Sequence, residues 1–337
     1  MTKTALIIGG SGQIGYAAAK ALVAADWRVR CGQRNPSGLA PELIALGVEP
    51  IQLDRSTPGA LAAAVGGGVD ALIDAVAFDE THARQLLEVQ GTVGAIVVIS
   101  SASVYRDERG RTIDEARANG FPHLPVPIPE NHPTVTPGPQ TYSTRKVALE
   151  QALLQGAATP VTILRPCAIY GPASHSLREW WFVKRILDGR RQVPVAYEGK
   201  SRFHTSATVN IAALILTVLG QPATQVLNAA DPRSLTVMEM GAAVAAAYEH
   251  EFRFVPFAGP GVDGVGDNPW GVPRPLIVDM SRAEASGYRP VATYEDAVGK
   301  ACRWAQAAIS NGATVPAYVM AMFDYGAEDA FLNARRN

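Results

Sequence analysis

The sequence predicts an α/β protein: a doubly wound parallel sheet in the first half, joined to a smaller and mostly helical lobe. Three observations predict it. Short β-branched runs alternate with helically spaced segments as far as about residue 170, and parallel strands need such crossovers between them. A glycine-rich turn separates the first of these runs from the first helical segment. After Pro172 the periodicity is mainly helical, with only short strands.

The first strand is expected at 5–8, where Ala5-Leu6-Ile7-Ile8 is wholly apolar, and the first helix at 13–24, rich in alanine. Between them, Gly9-Gly10-Ser11-Gly12-Gln13-Ile14-Gly15 reads with Gly9, Gly12 and Gly15, or with Gly10, Gly12 and Gly15, as its triplet. One glycine makes the tight turn, one lets the backbone approach a pyrophosphate, and Gly15 lets the helix pack on the strand. The free N–H groups and dipole at the helix start attract the anion. Set between strand and helix, this is the fingerprint of a Rossmann-type dinucleotide site, with Ser11, Gln13 and Ile14 in the same cradle.

A second strand at 28–31 runs into Gln33-Arg34-Asn35. A carboxylate there would bind the adenosine ribose of NAD; none is present, and the Arg34 guanidinium can grip a 2′-phosphate, so NADP is favoured and NAD is the alternative. A third strand at 50–53 ends at Asp54, placed to hold the adenine, although Asp is also a common turn former. A strand at 71–74, a helix at 80–90 and a strand at 95–100 follow. The last delivers Ser100-Ser101-Ala102-Ser103-Val104-Tyr105 to the carboxyl edge of the sheet, where ligands bind. A serine there can polarise a substrate oxygen.

Seven prolines between 106 and 140 exclude a long helix and imply an ordered surface loop. A helix over 142–153 then puts Tyr142 and Lys146, four apart, on one face. A nearby lysine cation favours the phenolate of a tyrosine, whose ordinary pKa is about 10, and can also hold a nicotinamide ribose. A strand at 161–164 leads into Arg165-Pro166-Cys167-Ala168-Ile169-Tyr170-Gly171-Pro172, and helices are expected at 177–187, 208–219, 237–248 and 294–309. The domain reading is a dinucleotide-binding domain over 1–172, with some later segments returning to it, and a substrate-binding lobe over 173–337.

Thirty basic against thirty-one acidic side chains give a net charge of -1, which recommends neither nucleic acid nor an anionic membrane as partner. A small-molecule substrate fits better. The apolar stretch at 211–219 is far short of a bilayer span. Cys31, Cys167 and Cys302 are dispersed and odd in number, which suits neither a disulfide framework nor a metal cluster and points to a cytoplasmic protein. The stretch 315–337 has helical composition and could close a pocket or join a homodimer.

Taken in order, the glycine turn, Asp54, Ser101-Ala102-Ser103-Val104-Tyr105, Tyr142-Ser143-Thr144-Arg145-Lys146 and Leu164-Arg165 through Tyr170-Gly171-Pro172 resemble the extended short-chain dehydrogenase/reductases, also called the NAD-dependent epimerase/dehydratase family. The resemblance continues through Arg202-Phe203-His204, Leu227-Asn228-Ala229-Ala230 and Gly287-Tyr288-Arg289-Pro290. It implies an enzyme with Tyr142 as acid/base, Lys146 tuning it and binding ribose, and Ser101 bonding the reacting oxygen, with Ser103 as rival. Arg55, Ala75, Val76, Ala77, Pro166 and Ala168 are then implied to border the cofactor.

Two departures bear on the reaction. Ala168 stands where nucleotide-sugar members often carry an asparagine, and the stretch that ends at Arg274 lacks a clear counterpart of another basic residue. Arg202, however, matches a position that contacts diphosphate. Trp180, Trp181, His204 and Arg274 complete the candidates for the substrate side, although adjacent tryptophans are more often core and His204 more often a structural residue. Three functions compete: a reductase or dehydrogenase exchanging NADP(H), an epimerase or dehydratase retaining its cofactor, and a non-catalytic dinucleotide- or RNA-binding relative. Arg34 and Ala168 favour the first.

Overall fold

The computed structural model describes residues 2–335, in two compact units. The first comprises the chain up to Cys167, Thr208–Ala230 and Val278–Val291; the second comprises Ala168–Ala207, Asp231–Ile277 and the chain from Ala292.

Eleven strands occur among the described residues: β1 (Thr4–Ile8), β2 (Arg28–Gln33), β3 (Glu49–Gln52), β4 (Ala71–Asp74), β5 (Ile96–Ile99), β6 (Val161–Pro166), β7 (Ala168–Tyr170), β8 (Gln192–Val195), β9 (Thr205–Ala207), β10 (Gln225–Ala229) and β11 (Arg253–Pro256). Seven form one parallel sheet in the order β10-β6-β5-β4-β1-β2-β3. The doubly wound sheet expected from the sequence is therefore present, with a seventh strand that the strand pattern did not place. The winding reverses between β1 and β4, where Ile8 pairs with Asp74, and a parallel sheet offers its ligand crevice at the carboxyl end of such a reversal.

The side chains explain why both faces are covered. Leu6, Ile8, Leu72, Ile96, Val98, Val161 and Ile163 point to one face and pack with Leu61, Leu86, Leu149 and Leu153 from three helices. Alternate residues Ala5, Ile7, Ile73 and Val97 point to the other face and are equally buried. The helices Gln13–Ala24 and Thr208–Gly220 pack side by side.

In the second unit β7 pairs with β9 and β8 with β11, both parallel. Its core gathers Trp181, Phe182, Trp270, Met240 and Val298. The helix expected from 177 begins at Trp180, because Leu177 adopts a left-handed φ of 44° that a helix cannot include. Among the described residues no helix is long and apolar enough to cross a membrane, and no cysteine is joined in a disulfide.

Candidate active site

The turn after β1 is closed by packing at three of its four glycines. A Cβ on Gly9, where φ is +90°, would stand 2.5 Å from a Val76 methyl; one on Gly10 would stand 2.5 Å from Cys31; one on Gly15 would stand 2.8 Å from the Gly9 carbonyl carbon. The two triplets allowed by the sequence thus merge. Gly12 differs, since its Cβ would meet only an ordinary 3.5 Å contact with the Gly9 carbonyl oxygen. Glycine there is not required by the protein's own packing; it keeps open the approach to the helix start, where Gly12 is the N-cap and offers no side-chain cap. Gln13 Oε1 and Gln33 Oε1 are buried beside this edge without a partner among the described residues. Together these features fit a bound dinucleotide.

At the end of β2, Gln33 spends its amide on the Asn35 and Pro36 carbonyls, and the Asn35 carboxamide caps the following turn. Arg34 is exposed and makes no side-chain hydrogen bond or ion pair among the described residues. Asp54 is exposed and accepts the Ser56 N–H and hydroxyl, which hold its carboxyl below the usual range. Arg55 is committed inward: it donates to Asp74 Oδ2 at 2.5 Å, to Gln85 at 2.9 Å and to the His82 carbonyl. Val76 lies half exposed over Gly9.

Thr141 and Thr144 form a capping box, each side chain bonding the other's N–H, which starts the helix Tyr142–Gly156 at Tyr142. Four residues on, Lys146 projects inward, and its ammonium donates to the carbonyls of Ala77 (2.5 Å) and Ile99 (2.9 Å), bridging the ends of β4 and β5. It lies 5.6 Å from the Tyr142 ring centre. Ser101, just beyond β5, accepts the Ser103 N–H and stands near enough to the Tyr142 phenol to favour its ionised form. The structure therefore brings Ser101, Tyr142 and Lys146 together. Ser103 is turned away, its hydroxyl held by Ser143 at 3.2 Å.

Electrostatics depart from the sequence expectation. Burial pushes the Tyr142 phenol above its ordinary value, Ser101 opposes this, and the Asp114 carboxylate adds to it. Lys146 does not lower it here; desolvation is the largest influence. Burial brings Lys146 itself down to about 8, against the pull of Asp74 and Glu150.

Residues that sequence reasoning missed lie beneath this site. Asp74 is fully buried and accepts the Val76 N–H as well as Arg55. Glu150 accepts from Arg165 and from Ser100, the neighbour of Ser101. Both carboxylates were visible only as ordinary positions in a strand and a helix; pairing them needs the fold.

Pro166 closes β6 and is buried. Within the second unit Ala168 is buried in β7 and donates its N–H to the His204 carbonyl, while the His204 ring bonds the Asp231 carbonyl at 2.9 Å. Trp181 has no exposed surface: it sits edge-on to Phe182 with the Arg185 guanidinium 3.8 Å over its ring, and Trp180 joins the same core. This fits a core role better than pocket lining. Arg202 donates to the Ser234 carbonyl, and Arg274 is exposed on a cavity of about 400 Å³ with Lys200, Ser201 and Tyr197.

A model of the NAD dependent epimerase/dehydratase family matches residues 5–230. The 2′-dehydrokanamycin reductase of Streptomyces kanamyceticus is 32% identical over 118 residues, 35% of this chain; the chain spans only 33% of that relative's length. Among solved structures, the Bordetella bronchiseptica enzyme WbmH in complex with NAD+ is 17% identical with a TM-score of 0.66, over 90% of this chain and 99% of that one. The UDP-N-acetylglucosamine 4-epimerase of Methanobrevibacter ruminantium, in complex with UDP-N-acetylmuramic acid, is 15% identical with a TM-score of 0.69, over 91% and 99%. Identities this low establish a shared fold.

Proposed function

The chain belongs to the NAD dependent epimerase/dehydratase family, a family of enzymes, and on that premise we propose that it is an NADP(H)-linked reductase or dehydrogenase acting on a ketone, aldehyde or alcohol. The observation that carries this reading is the condition of Tyr142: a half-buried phenol, held protonated by its surroundings, next to Ser101 and beside the ammonium of Lys146. When bound, the nicotinamide supplies or takes up a hydride at a carbinol carbon. A protonated phenol is the form that can give its proton to a carbonyl oxygen as reduction proceeds. Ser101 polarises that oxygen, and Lys146 holds the ribose.

The choice of NADP rests on Arg34, which makes no side-chain hydrogen bond or ion pair among the described residues, with Asp54 the carboxylate that feels its charge and none at 33–35 to repel a 2′-phosphate. The uncapped helix start behind Gly12 takes the pyrophosphate. The second unit serves as the substrate lobe, and the relationship to a reductase supports the direction of the chemistry. Tyr142→Phe tests the reading: NADP+ binding survives, while NADPH oxidation with a panel of small ketones and aldehydes falls by about 10²- to 10⁴-fold. An unchanged rate rejects it.

A second reading, an epimerase or dehydratase that retains its cofactor, is favoured by Arg274, an exposed guanidinium on a cavity of the second unit where Lys200 is paired with Glu198. Nicotinamide absorbance separates the two. The first predicts loss in proportion to substrate consumed, the second no net change.

A further inference from the structure

The loop 75–79, between β4 and the helix Glu80–Val89, carries two groups that touch the site. Ala77 presents the carbonyl that accepts from Lys146, and the Phe78 ring lies 5.8 Å from the Tyr142 ring, tilted by 48°. Arg145 stands over the Phe78 ring at 5.4 Å. Moving this loop would therefore shift both the anchor of the ammonium and the wall of the phenol.

Besides the Ala75 N–H, which donates to the Ile8 carbonyl, three side chains bond its backbone. The Asp74 carboxylate, fixed by Arg55, accepts the Val76 N–H at 3.0 Å. Lys146 donates to Ala77. The third is different in kind: the Phe78 N–H donates to Nδ1 of His82 at 2.9 Å. An imidazole nitrogen accepts only while it carries no proton, so this attachment exists for the neutral ring alone.

We propose that His82 is a positioning residue of the active site, whose neutral ring latches the loop 75–79 and whose protonation releases it. The proposal rests on the reading of Tyr142 and Lys146 as the acid/base pair. Charged groups face the ring from every side: Arg55 from the segment after β3, Asp74 from β4, Asp79 from its own loop and Lys146 from the helix Tyr142–Gly156. Burial is the largest influence and, with Arg55 and Lys146, it outweighs the two carboxylates, holding the ring below its ordinary 6.5. The latch is thus closed at neutral pH and opens as pH falls through that lowered value.

The released ring has somewhere to go. Asp79 Oδ1 stands 3.7 Å from His82 Nδ1, while it accepts the Thr81 and His82 N–H groups. A protonated imidazole facing the Phe78 N–H would oppose donor to donor; turning to Asp79 exchanges that for an ion pair.

Two variants separate the acceptor from the proton. His82→Asn keeps an acceptor that does not titrate, and His82→Phe keeps a ring without an acceptor. Amide exchange at Phe78, in the protein without cofactor, is read first. Between about pH 7.5 and about pH 5 its protection factor falls about three- to ten-fold in the wild type, the worth of one neutral hydrogen bond. It stays high in H82N and is low throughout in H82F. Calorimetric titration with NADP+ over the same range follows the same pattern, weakening toward acid in the wild type, flat in H82N and weak throughout in H82F. Phe78 protection that ignores pH, or that H82F retains, overturns the proposal, as does an NADP+ affinity equal in all three proteins. If NADP+ binds none of them, the cofactor reading has failed, and the exchange data alone decide whether the latch exists.

Discussion

Glu150→Gln isolates the buried charge pair beneath Ser101. The Arg165 and Glu150 side chains are 6% and 3% exposed. Glu150 Oε1 accepts from Arg165 Nε at 3.0 Å and from the Ser100 hydroxyl at 2.5 Å, and Oε2 accepts from Arg165 Nη2 at 2.5 Å. Arg165 also donates to the Glu130 carbonyl and lies 4.9 Å over the Tyr105 ring. Two unit charges about 4 Å apart attract by ~4 kcal/mol at an effective dielectric of ~20, and removing one partner of a buried pair typically costs about 3–5 kcal/mol, because the other charge stays behind. We expect the amide to lower the unfolding free energy by ~3 kcal/mol, a large share of the ~5–15 kcal/mol usual for a native protein. Urea denaturation followed by circular dichroism measures it. The double replacement Glu150→Leu with Arg165→Met should recover most of the loss, since both charges then leave together. A cost for the single variant below ~1 kcal/mol, the worth of an exposed pair, would refute the reasoning.

Further expectations follow from the cofactor turn and from Lys146. Gly15→Ala puts a methyl against the Gly9 and Gly10 backbone and should cost ~1–3 kcal/mol of stability, whereas Gly12→Ala should leave the thermal midpoint unchanged yet abolish the shift produced by NADP+. If both variants bind NADP+ normally, the cradle is misassigned. Arg34→Ala should weaken NADPH binding by about ten-fold and leave NADH unaffected, judged by fluorescence titration; an equal loss for both would reject Arg34 as the phosphate ligand. Lys146 is lowered from 10.5 to about 8, so between those values the unfolded chain holds a proton that the folded one has shed, and stability rises with pH across that window. Lys146→Met removes that rise. Relative to the variant, the wild type is at a disadvantage of a few (~3) kcal/mol below pH ~8 and loses it above ~10.5; a pH-independent difference between the two unfolding free energies would count against this.

Four strands of the sheet, β1, β4, β5 and β6, are legible because each is a short, mostly apolar run, and β2 and β3 because they fall in the strand-helix alternation. β10 is not: Gln225-Val226-Leu227-Asn228-Ala229 lies among helical patterns, and what makes it a strand is its pairing with β6, 63 residues earlier along the register Gln225 to Thr162. The strands β7, β8, β9 and β11 are three or four residues long, too short to show alternation. At the site, Tyr142 and Lys146 are readable together since a helix fixes i and i+4 on one face, and Ser101 is readable from the strand that ends before it. Asp74, His82 and Glu150 escape because their roles depend on partners 19, 4 and 15 residues away that only packing brings into reach. The direction of the Tyr142 shift escapes as well, because spacing reports that Lys146 is near but not how far the phenol is desolvated.

The chain leaves the first unit after Cys167 and comes back for Thr208–Ala230 and again for Val278–Val291. During synthesis, then, β6 must wait with one flank of its peptide groups unsatisfied until residues beyond 229 have emerged. A fragment ending near residue 172 would keep the entire glycine turn and the Tyr142 helix, yet leave β6 as an unpaired border ready to recruit an extended peptide. Attempts to express residues 1–172 alone should therefore yield aggregates or strand-exchanged assemblies, and a workable dissection has to excise the later segments from within the chain.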